Sequence, residues 1–275
     1  MLEYIKIIIL AILQGVAEFL PISSSGHLLV VGNFLQLDDN LFINILLHGG
    51  TLLSIIVFYR KLLLDLIIKF EKKMILQIIF GSIPIFVLGF VLKITALSEK
   101  IWSNSLIAGC GFLFSAVLIF WANNKFEKRL KKIDESEFIK LEELSNKQAF
   151  YIGLMQAIAI FPGVSRSGST ISLGLSLYLK REDCAKFSFL LAIPAIAGAV
   201  AASFLDMLKG GNLQLNFNAL GLYGVGFFVS FVVGYFSLKF LLKVLQRGKF
   251  QYFSYYLFFV GTATLVYSII KLLNG

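Results

Sequence analysis

Two short stretches of the chain, 14–27 and 162–170, concentrate the side chains that could do chemistry. They hold one carboxylate, one guanidinium, one histidine, one amide and a run of hydroxyls: Gln14, Glu18, Ser23, Ser24 and His27, then Ser165, Arg166, Ser167 and Thr170. Arg166 is always charged, and its planar fork suits a pair of phosphate oxygens. Serine and glycine runs that open a helix add backbone N–H groups to an anion site. These residue types predict a site for a phosphate-bearing molecule.

The composition places both stretches in a membrane protein. Of the 275 residues, 58% are hydrophobic and 15% are charged, and the mean hydropathy is +0.84. Runs such as 74–92 are apolar on every face, whereas helices of a soluble protein have a polar face. A helix needs roughly 20 residues to cross a bilayer. The sequence therefore predicts six membrane spans, at 43–59, 74–92, 104–121, 187–206, 219–238 and 251–271.

Two further apolar regions, 4–35 and 150–179, are interrupted in the middle. The interruptions, Pro21–Gly26 and Pro162–Gly168, are rich in proline, glycine and serine, and each region is predicted to be a short helix, a loop and a short helix. Lys and Arg accumulate in cytoplasmic loops. A topology in which region 150–179 turns back inside the membrane places all the main basic clusters in cytoplasmic loops. Both regions are therefore predicted to be re-entrant hairpins.

The two hairpins also form an internal repeat. A shift of 142 positions places 13–27 over 155–169 without a gap, and six positions then agree: Gln14 with Gln156, Ala17 with Ala159, Phe19 with Phe161, Ser23 with Ser165, Ser25 with Ser167 and Gly26 with Gly168. Each half is predicted to be a hairpin plus three spans, so the two repeats have opposite orientation, as in proteins with sites near the membrane midplane. The fold class is an all-α polytopic membrane domain covering 1–275, with repeat 1 at about 1–121, a cytoplasmic linker at about 122–149 and repeat 2 at about 150–275.

Irregular backbone at membrane depth needs protein or a water-filled cavity around it, so the two hairpin tips are predicted to meet. Arg166 costs about 3 kcal/mol at this depth and needs a counter-charge. A structural alternative is an Arg166–Glu18 ion pair that only ties the hairpins together. His27 could act as acid or base near neutral pH, whereas His48 is predicted to be a packed or hydrogen-bonded residue.

The chain resembles the undecaprenyl-diphosphate phosphatases of the bacitracin-resistance type over nearly its whole length. The most specific parts are Q-G-V-A-E-F-L-P-I-S-S-S-G-H at 14–27 and P-G-V-S-R-S-G at 162–168. The resemblance implies hydrolysis of undecaprenyl diphosphate to the monophosphate, which recycles the lipid carrier of peptidoglycan synthesis and confers bacitracin resistance. It also implies a Mg or Ca requirement and a site that opens on the outer face of the bacterial plasma (inner) membrane. Bacitracin would act indirectly, by sequestering the substrate, and a homodimer is a further expectation.

The resemblance assigns roles residue by residue. Glu18, Ser24, His27 and Arg166 fall on the family's catalytic positions, and Ser23, Ser165, Ser167 and Thr170 are implied phosphate neighbours. Glu18 is the expected metal ligand. Gln14, an expected substrate contact, stands where many relatives have Glu, which puts a metal role for this position in doubt. Three mechanisms stay open: attack by Ser24 with His27 as base, attack by His27, and attack by water with His27 as base.

A transporter is the main alternative from another class, because inverted repeats with broken helices are typical of alternating access. A flippase for the polyprenyl phosphate would use Arg166 and the hairpins but would not need the cluster of Glu18, Ser24 and His27. A second superfamily of lipid phosphatases is excluded because no histidine follows Arg166. The basic residues lie in loops and alternate with acids, so nucleic acid is not an expected partner.

Overall fold

The computed structural model describes residues 2–35, 41–95, 101–102, 104–134, 137–209 and 220–274. Their regular elements are α1 Leu2–Ala17, α2 Ser24–Leu35, α3 Leu41–Phe58, α4 Arg60–Ile68, α5 Lys72–Ile94, α6 Ser105–Leu130, a short 3-10 helix Leu141–Glu143, α7 Asn146–Ile158, α8 Arg166–Ser176, α9 Arg181–Lys209, α10 Leu220–Gln246 and α11 Tyr252–Asn274. The β pairing within this part of the chain is one isolated bridge, between Ile139 and Leu179. The predicted all-α architecture is confirmed.

Five helices in the described ranges are long and apolar enough to cross a membrane: α5, α6, α9, Gly221–Gln246 of α10 and Tyr252–Leu273 of α11. They correspond to five of the predicted spans. The remaining one, 43–59, coincides with α3, whose apolar stretch Phe42–Phe58 is shorter. The chain leaves helical geometry at Tyr59 and continues as α4. The sixth span therefore stays a prediction.

Both predicted helix–loop–helix units form, but their second helices begin earlier than predicted, and their re-entrant course in the membrane stays a prediction. The loops lie at 18–23 and 159–165, so the predicted interruptions Pro21–Gly26 and Pro162–Gly168 include the first turn of α2 and of α8. A serine stands immediately before each second arm. Its side-chain oxygen accepts an N–H group of the first helical turn, which allows the helix to start there.

The helices of the two halves pack in corresponding pairs. The repeat maps α1 onto α7 and α5 onto α10, and the contacts follow this exchange: α1 packs along α10, and α7 packs along α5. The equivalent helices α3 and α9 contact each other, as do α6 and α11. Each hairpin therefore rests on helices of the opposite half. The packing fits two repeats, while their opposite orientation across the membrane stays a prediction.

The segment between the halves is more regular than a linker at 122–149 suggests. α6 continues to Leu130 and α7 begins at Asn146. Between them, Phe138, Leu141 and Leu144 are buried in the core of the protein. Ser145 caps α7, because its hydroxyl accepts the Gln148 N–H at 3.2 Å. This part of the chain therefore fixes the start of the second hairpin.

Candidate active site

The loop of the first hairpin brings a serine hydroxyl to a carboxylate. The Glu18 N–H donates to the Gln14 carbonyl at 2.9 Å, so Glu18 extends the last turn of α1. Ser23 has a φ of 69°, a left-handed conformation that is uncommon for residues other than glycine. The turn at Ser23 places the Ser24 hydroxyl against Glu18, where it donates to Oε2 at 2.7 Å.

The loop of the second hairpin is held by α6. Gly163 has a φ of 83°, and a Cβ at this position would lie 1.9 Å from the Ala108 carbonyl oxygen, so no other residue fits. The Ser165 N–H donates to the Ser115 hydroxyl at 2.9 Å. The Ser165 hydroxyl caps α8. These contacts fix the N-terminus of α8, whose first residue is Arg166.

The two hairpin tips meet, as the sequence predicts. Arg166 Nη2 donates to Glu18 Oε1 at 2.8 Å and is 3.4 Å from the Glu18 carbonyl oxygen. Both side chains are largely buried, with 13% and 8% of their surface exposed. A Cβ on Gly26 would lie 2.8 Å from the Gly163 Cα, which shows how closely the loops approach each other. The ion pair therefore joins the two halves of the protein.

Glu18 is the centre of a polar cluster. Gln14 Nε2 donates to its Oε2 at 3.1 Å, and Ser24 and Arg166 donate to the same carboxylate. Two buried polar atoms of this cluster, Gln14 Oε1 and Arg166 Nη1, have no hydrogen-bond partner in the described part of the chain. Buried polar groups normally have partners. Of the two residues, only Arg166 lines the cavity beside the cluster, so its Nη1 is the atom that a ligand in the cavity could engage.

A cavity of about 870 Å³ opens beside the cluster. Its polar end contains Glu18, Arg166 and the serines at 23–25, and the pair Glu3 and Lys6 lies elsewhere in its lining. Most of the remaining lining is apolar and comes from α1, α2, α3 and α9, including Leu10, Leu28, Leu29, Ile45, Ile196 and Val200. The cavity therefore suits a ligand with an anionic head and an apolar tail.

The structure separates the two histidines in a way that the sequence does not predict. Among the described residues, His48 lines the cavity and His27 does not. His48 Nε2 lies 4.0 Å from Glu18 Oε2, while its Nδ1 lies 2.9 Å from the Asn44 carbonyl oxygen. No spacing or neighbouring motif distinguishes His48 from a packed residue, because its position depends on how α3 packs beside the first hairpin.

His27 is enclosed between three residues. Its Nδ1 lies 2.8 Å from the Ser23 carbonyl oxygen, and its Nε2 lies 2.7 Å from the Tyr256 hydroxyl. The ring is stacked on Tyr256 and meets the edge of Phe112. The three mechanisms that the sequence leaves open all use a reactive His27 ring, whereas both ring nitrogens already have partners.

The remaining predicted phosphate neighbours mainly stabilise α8. The Ser165 and Ser167 hydroxyls are 3.4 Å apart. Thr170 donates to the Arg166 carbonyl at 2.9 Å, and its hydroxyl lies 2.6 Å from that of Ser188. None of Ser165, Ser167 and Thr170 belongs to the described cavity lining. Their contact with phosphate stays a prediction, and the contacts that exist hold Arg166 in place.

The residues around Glu18 can supply only part of a cation site. In the described ranges no group of three or more His, Cys, Asp and Glu side chains could hold a metal ion. Glu18 offers one carboxylate in the cavity lining, and the adjacent Gln14 Oε1 has no partner among the described residues but does not line the cavity. Mg²⁺ is often held by one or two carboxylates together with substrate phosphates and water. The residues therefore fit a cation that takes most of its ligands from a bound diphosphate and water.

Known proteins share the sequence of this chain over most of its length. Residues 7–263 match the protein family described as Bacitracin resistance protein BacA. The chain belongs to this family. BacA-family relatives named undecaprenyl-diphosphatase include those of Methanosphaera stadtmanae, 35% identical over 98% of this chain and 100% of the relative, and of Carboxydothermus hydrogenoformans, 36% identical over 94% and 95%. The Pelagibacter ubique protein of that name is 38% identical over 92% and 93%. The membership and the five candidate spans indicate a multi-pass membrane protein.

Proposed function

We propose that this BacA-family protein is an enzyme that hydrolyses undecaprenyl diphosphate to undecaprenyl phosphate and inorganic phosphate. The names of its relatives support the substrate and the reaction. The observation that carries the proposal is the polar end of the cavity, which is lined by Arg166, Ser24 and Glu18. There Arg166 Nη1 has no hydrogen-bond partner among the described residues, and the Ser24 hydroxyl donates to Glu18. Diphosphate binds at this end, and the first part of the isoprenoid chain lies along the apolar walls.

Arg166 has two roles in the proposal. Its Nη2 holds Glu18, and its Nη1 donates to an oxygen of the terminal phosphate. Arg166 lines the cavity, and its Nη1 has no partner among the described residues, which supports a contact with phosphate beyond the tie to Glu18. The N-terminus of α8, where Arg166 stands, adds its partial positive charge. Positioning and charge neutralisation of this kind supply most of the catalysis in phosphoryl transfer.

Ser24 is the nucleophile in the proposal, and Glu18 accepts its proton. The Ser24 oxygen forms a bond to the terminal phosphorus, the bond from that phosphorus to the bridging oxygen breaks, and the electron pair stays on undecaprenyl phosphate. Water then attacks the phosphoserine, which releases inorganic phosphate and restores the Ser24 hydroxyl. The hydrogen bond from Ser24 to Glu18 supports this assignment, because the proton already points at the carboxylate.

Three further parts of the site belong to the proposal. Glu18 would hold a Mg or Ca ion, which would neutralise charge on the bound diphosphate. His27 is required for activity because its ring contacts the carbonyl of Ser23, the residue before Ser24. Gln14 supports Glu18, and Ser23, Ser165, Ser167 and Thr170 shape the two loops that enclose the phosphate.

The proposal extends to the cell. The reaction recycles the lipid carrier of peptidoglycan synthesis and confers resistance to bacitracin, which acts indirectly by sequestering the diphosphate. The protein lies in the bacterial inner membrane with the cavity open to the outer face. The charge pattern supports this orientation, because it places most loop Lys and Arg residues in the cytoplasm. The proposal also includes a homodimer. No observation favours the flippase alternative.

Phosphate release by the purified protein tests the proposal. The wild-type protein in detergent is given undecaprenyl diphosphate with Mg, with Ca and with a chelator, beside Glu18→Gln and Ser24→Ala variants. We expect cation-dependent release by the wild type alone. A folded wild-type protein that binds the lipid but releases no phosphate under any of these conditions would refute the proposed function.

A further inference from the structure

The ring of His27 has a defined hydrogen-bonding arrangement. The Ser23 carbonyl oxygen, 2.8 Å from Nδ1, can only accept, so Nδ1 carries the proton of the neutral ring. Nε2 then has a free lone pair, and it accepts from the Tyr256 hydroxyl at 2.7 Å. The two rings are parallel within 8°, with centroids 5.7 Å apart. One tautomer therefore satisfies both contacts, and the pairing leaves neither nitrogen free for a substrate.

The Ser23 carbonyl is the point at which His27 acts on the loop. Ser23 has a φ of 69°, so its peptide group needs contacts that hold it in this conformation. Its carbonyl is contacted by His27 twice, by Nδ1 at 2.8 Å and by the backbone N–H at 3.3 Å. The next residue is Ser24, whose hydroxyl donates to Glu18 at 2.7 Å. The direction of the Ser24 hydroxyl therefore depends on the peptide group that His27 holds.

Tyr256 connects this loop to the other half of the protein. It belongs to α11, 229 residues after His27 in the sequence. α11 packs along α6, and Phe112 of α6 meets the His27 ring with its edge, at a centroid distance of 5.0 Å. The imidazole is thus held by two helices that do not belong to its own hairpin. Tyr256 itself is 43% exposed, so removing its hydroxyl leaves no buried cavity.

We infer that Tyr256 is a positioning residue for the reaction, which acts through His27 and the Ser23 carbonyl to aim the Ser24 hydroxyl. The inference rests on the proposed function, because it assigns no separate activity. It also assigns His27 a positioning role in place of a base. A base for Ser24 would need a nitrogen directed at that hydroxyl, whereas the hydrogen of Ser24 is donated to Glu18 and the ring nitrogens face Ser23 and Tyr256.

Kinetics of Tyr256→Phe test the inference, with Tyr255→Phe as the matched control. Tyr255 is the neighbouring residue on α11, is 53% exposed and contacts Phe120 and Tyr252 rather than the site. Loss of a hydrogen bond of this kind lowers a rate constant that depends on it by about tenfold. We expect kcat for phosphate release to fall by about tenfold in Tyr256→Phe with KM unchanged, and we expect wild-type kinetics in Tyr255→Phe.

A double-mutant cycle and a spectroscopic readout separate positioning from general loss of stability. If Tyr256 acts through His27, Tyr256→Phe lowers kcat no further in a His27→Asn protein. The chain has only two histidines, so nitrogen NMR of labelled His48→Gln protein reports His27 alone. We expect the Nδ1–H tautomer and a shift of the Nε2 resonance in Tyr256→Phe.

The outcomes distinguish the inference from the proposed function. An active wild-type enzyme beside an equally active Tyr256→Phe variant would overturn the role of Tyr256 and leave the phosphatase in place. A rise in KM at constant kcat would also overturn it, because it would indicate contact with the substrate. A wild-type protein that releases no phosphate overturns the proposed function, and the positioning role with it.

Discussion

Replacement of Arg166 by lysine separates the two tasks of this side chain. Arg166→Ala would leave Glu18 buried without its partner, a loss of about 3–5 kcal/mol that confuses folding with function. Lysine keeps the charge and can still reach Glu18, but its single ammonium replaces the fork that holds a carboxylate and a phosphate together. The contact that the proposal expects lysine to lose is that of Nη1, which is buried and has no hydrogen-bond partner among the residues that the structure describes.

The expected magnitude follows from this one contact. A hydrogen bond to a charged group contributes about 1.5–3 kcal/mol, and about 1.4 kcal/mol corresponds to tenfold, so kcat/KM for phosphate release should fall by roughly 10- to 150-fold in Arg166→Lys. The melting temperature in detergent should stay close to that of the wild type. Retention of wild-type kcat/KM would refute the reasoning.

A second arginine–glutamate ion pair, in which the arginine is largely buried and the glutamate is 35% exposed, provides the control. Arg181 Nη2 lies 2.6 Å from Glu127 Oε1, and the Arg181 side chain is 11% exposed, but Arg181 is not part of the described cavity lining. Its guanidinium also lies over the Phe126 ring at 4.8 Å. Arg181→Lys should lower the melting temperature, because it changes an ion pair that stabilises the fold. It should leave kcat/KM within about twofold of the wild type, because a change outside the site acts on stability. An equal loss of activity in both lysine variants would show that the effect is not specific to the site.

Three further changes test other parts of the account. Gly163→Ala should lower the melting temperature strongly, because its Cβ would lie 1.9 Å from a backbone oxygen. Gly224→Ala should not, because a Cβ there meets no atom of the described residues within 4 Å, and equal melting temperatures would contradict the loop geometry. Ser24→Ala should reduce kcat by about a thousandfold or more at unchanged lipid binding, and a loss below tenfold would favour direct attack by water. Gln14→Glu should lower the Mg concentration for half-maximal activity, and an unchanged titration would argue against a cation beside Glu18.

The outline of the fold could be predicted because each of its signals is local. Apolar runs of membrane length mark α5, α6, α9, α10 and α11, and the Pro, Gly and Ser clusters mark the two loops. The match between 13–27 and 155–169 predicts that the loops are equivalent, and the membrane environment then requires their polar backbone to be enclosed. The contact between Glu18 and Arg166 follows from these steps, since each is the charged residue of its loop.

The details that decide the chemistry could not be predicted from the sequence. The surroundings of His27 include Tyr256, which is 229 residues away in the sequence, and the position of His48 depends on the packing of α3. Neither leaves a local pattern in the sequence. The first turns of α2 and α8 lie inside the predicted interruptions, because capping by Ser23 and Ser165 outweighs the low helix propensity of the Ser and Gly residues that follow. Long-range packing and short-range capping are thus the two sources of error.

Hydrolysis in water enriched in heavy oxygen tests the central claim most directly. The wild-type protein and Glu18→Gln are incubated with undecaprenyl diphosphate, and both products are analysed by mass spectrometry. Attack at the terminal phosphorus, by Ser24 followed by water, predicts one inorganic phosphate per undecaprenyl phosphate, solvent oxygen only in the inorganic phosphate, and no turnover by a folded Glu18→Gln variant. Solvent oxygen in undecaprenyl phosphate, or a lipid that stays unchanged beside the folded wild-type protein, would contradict the account.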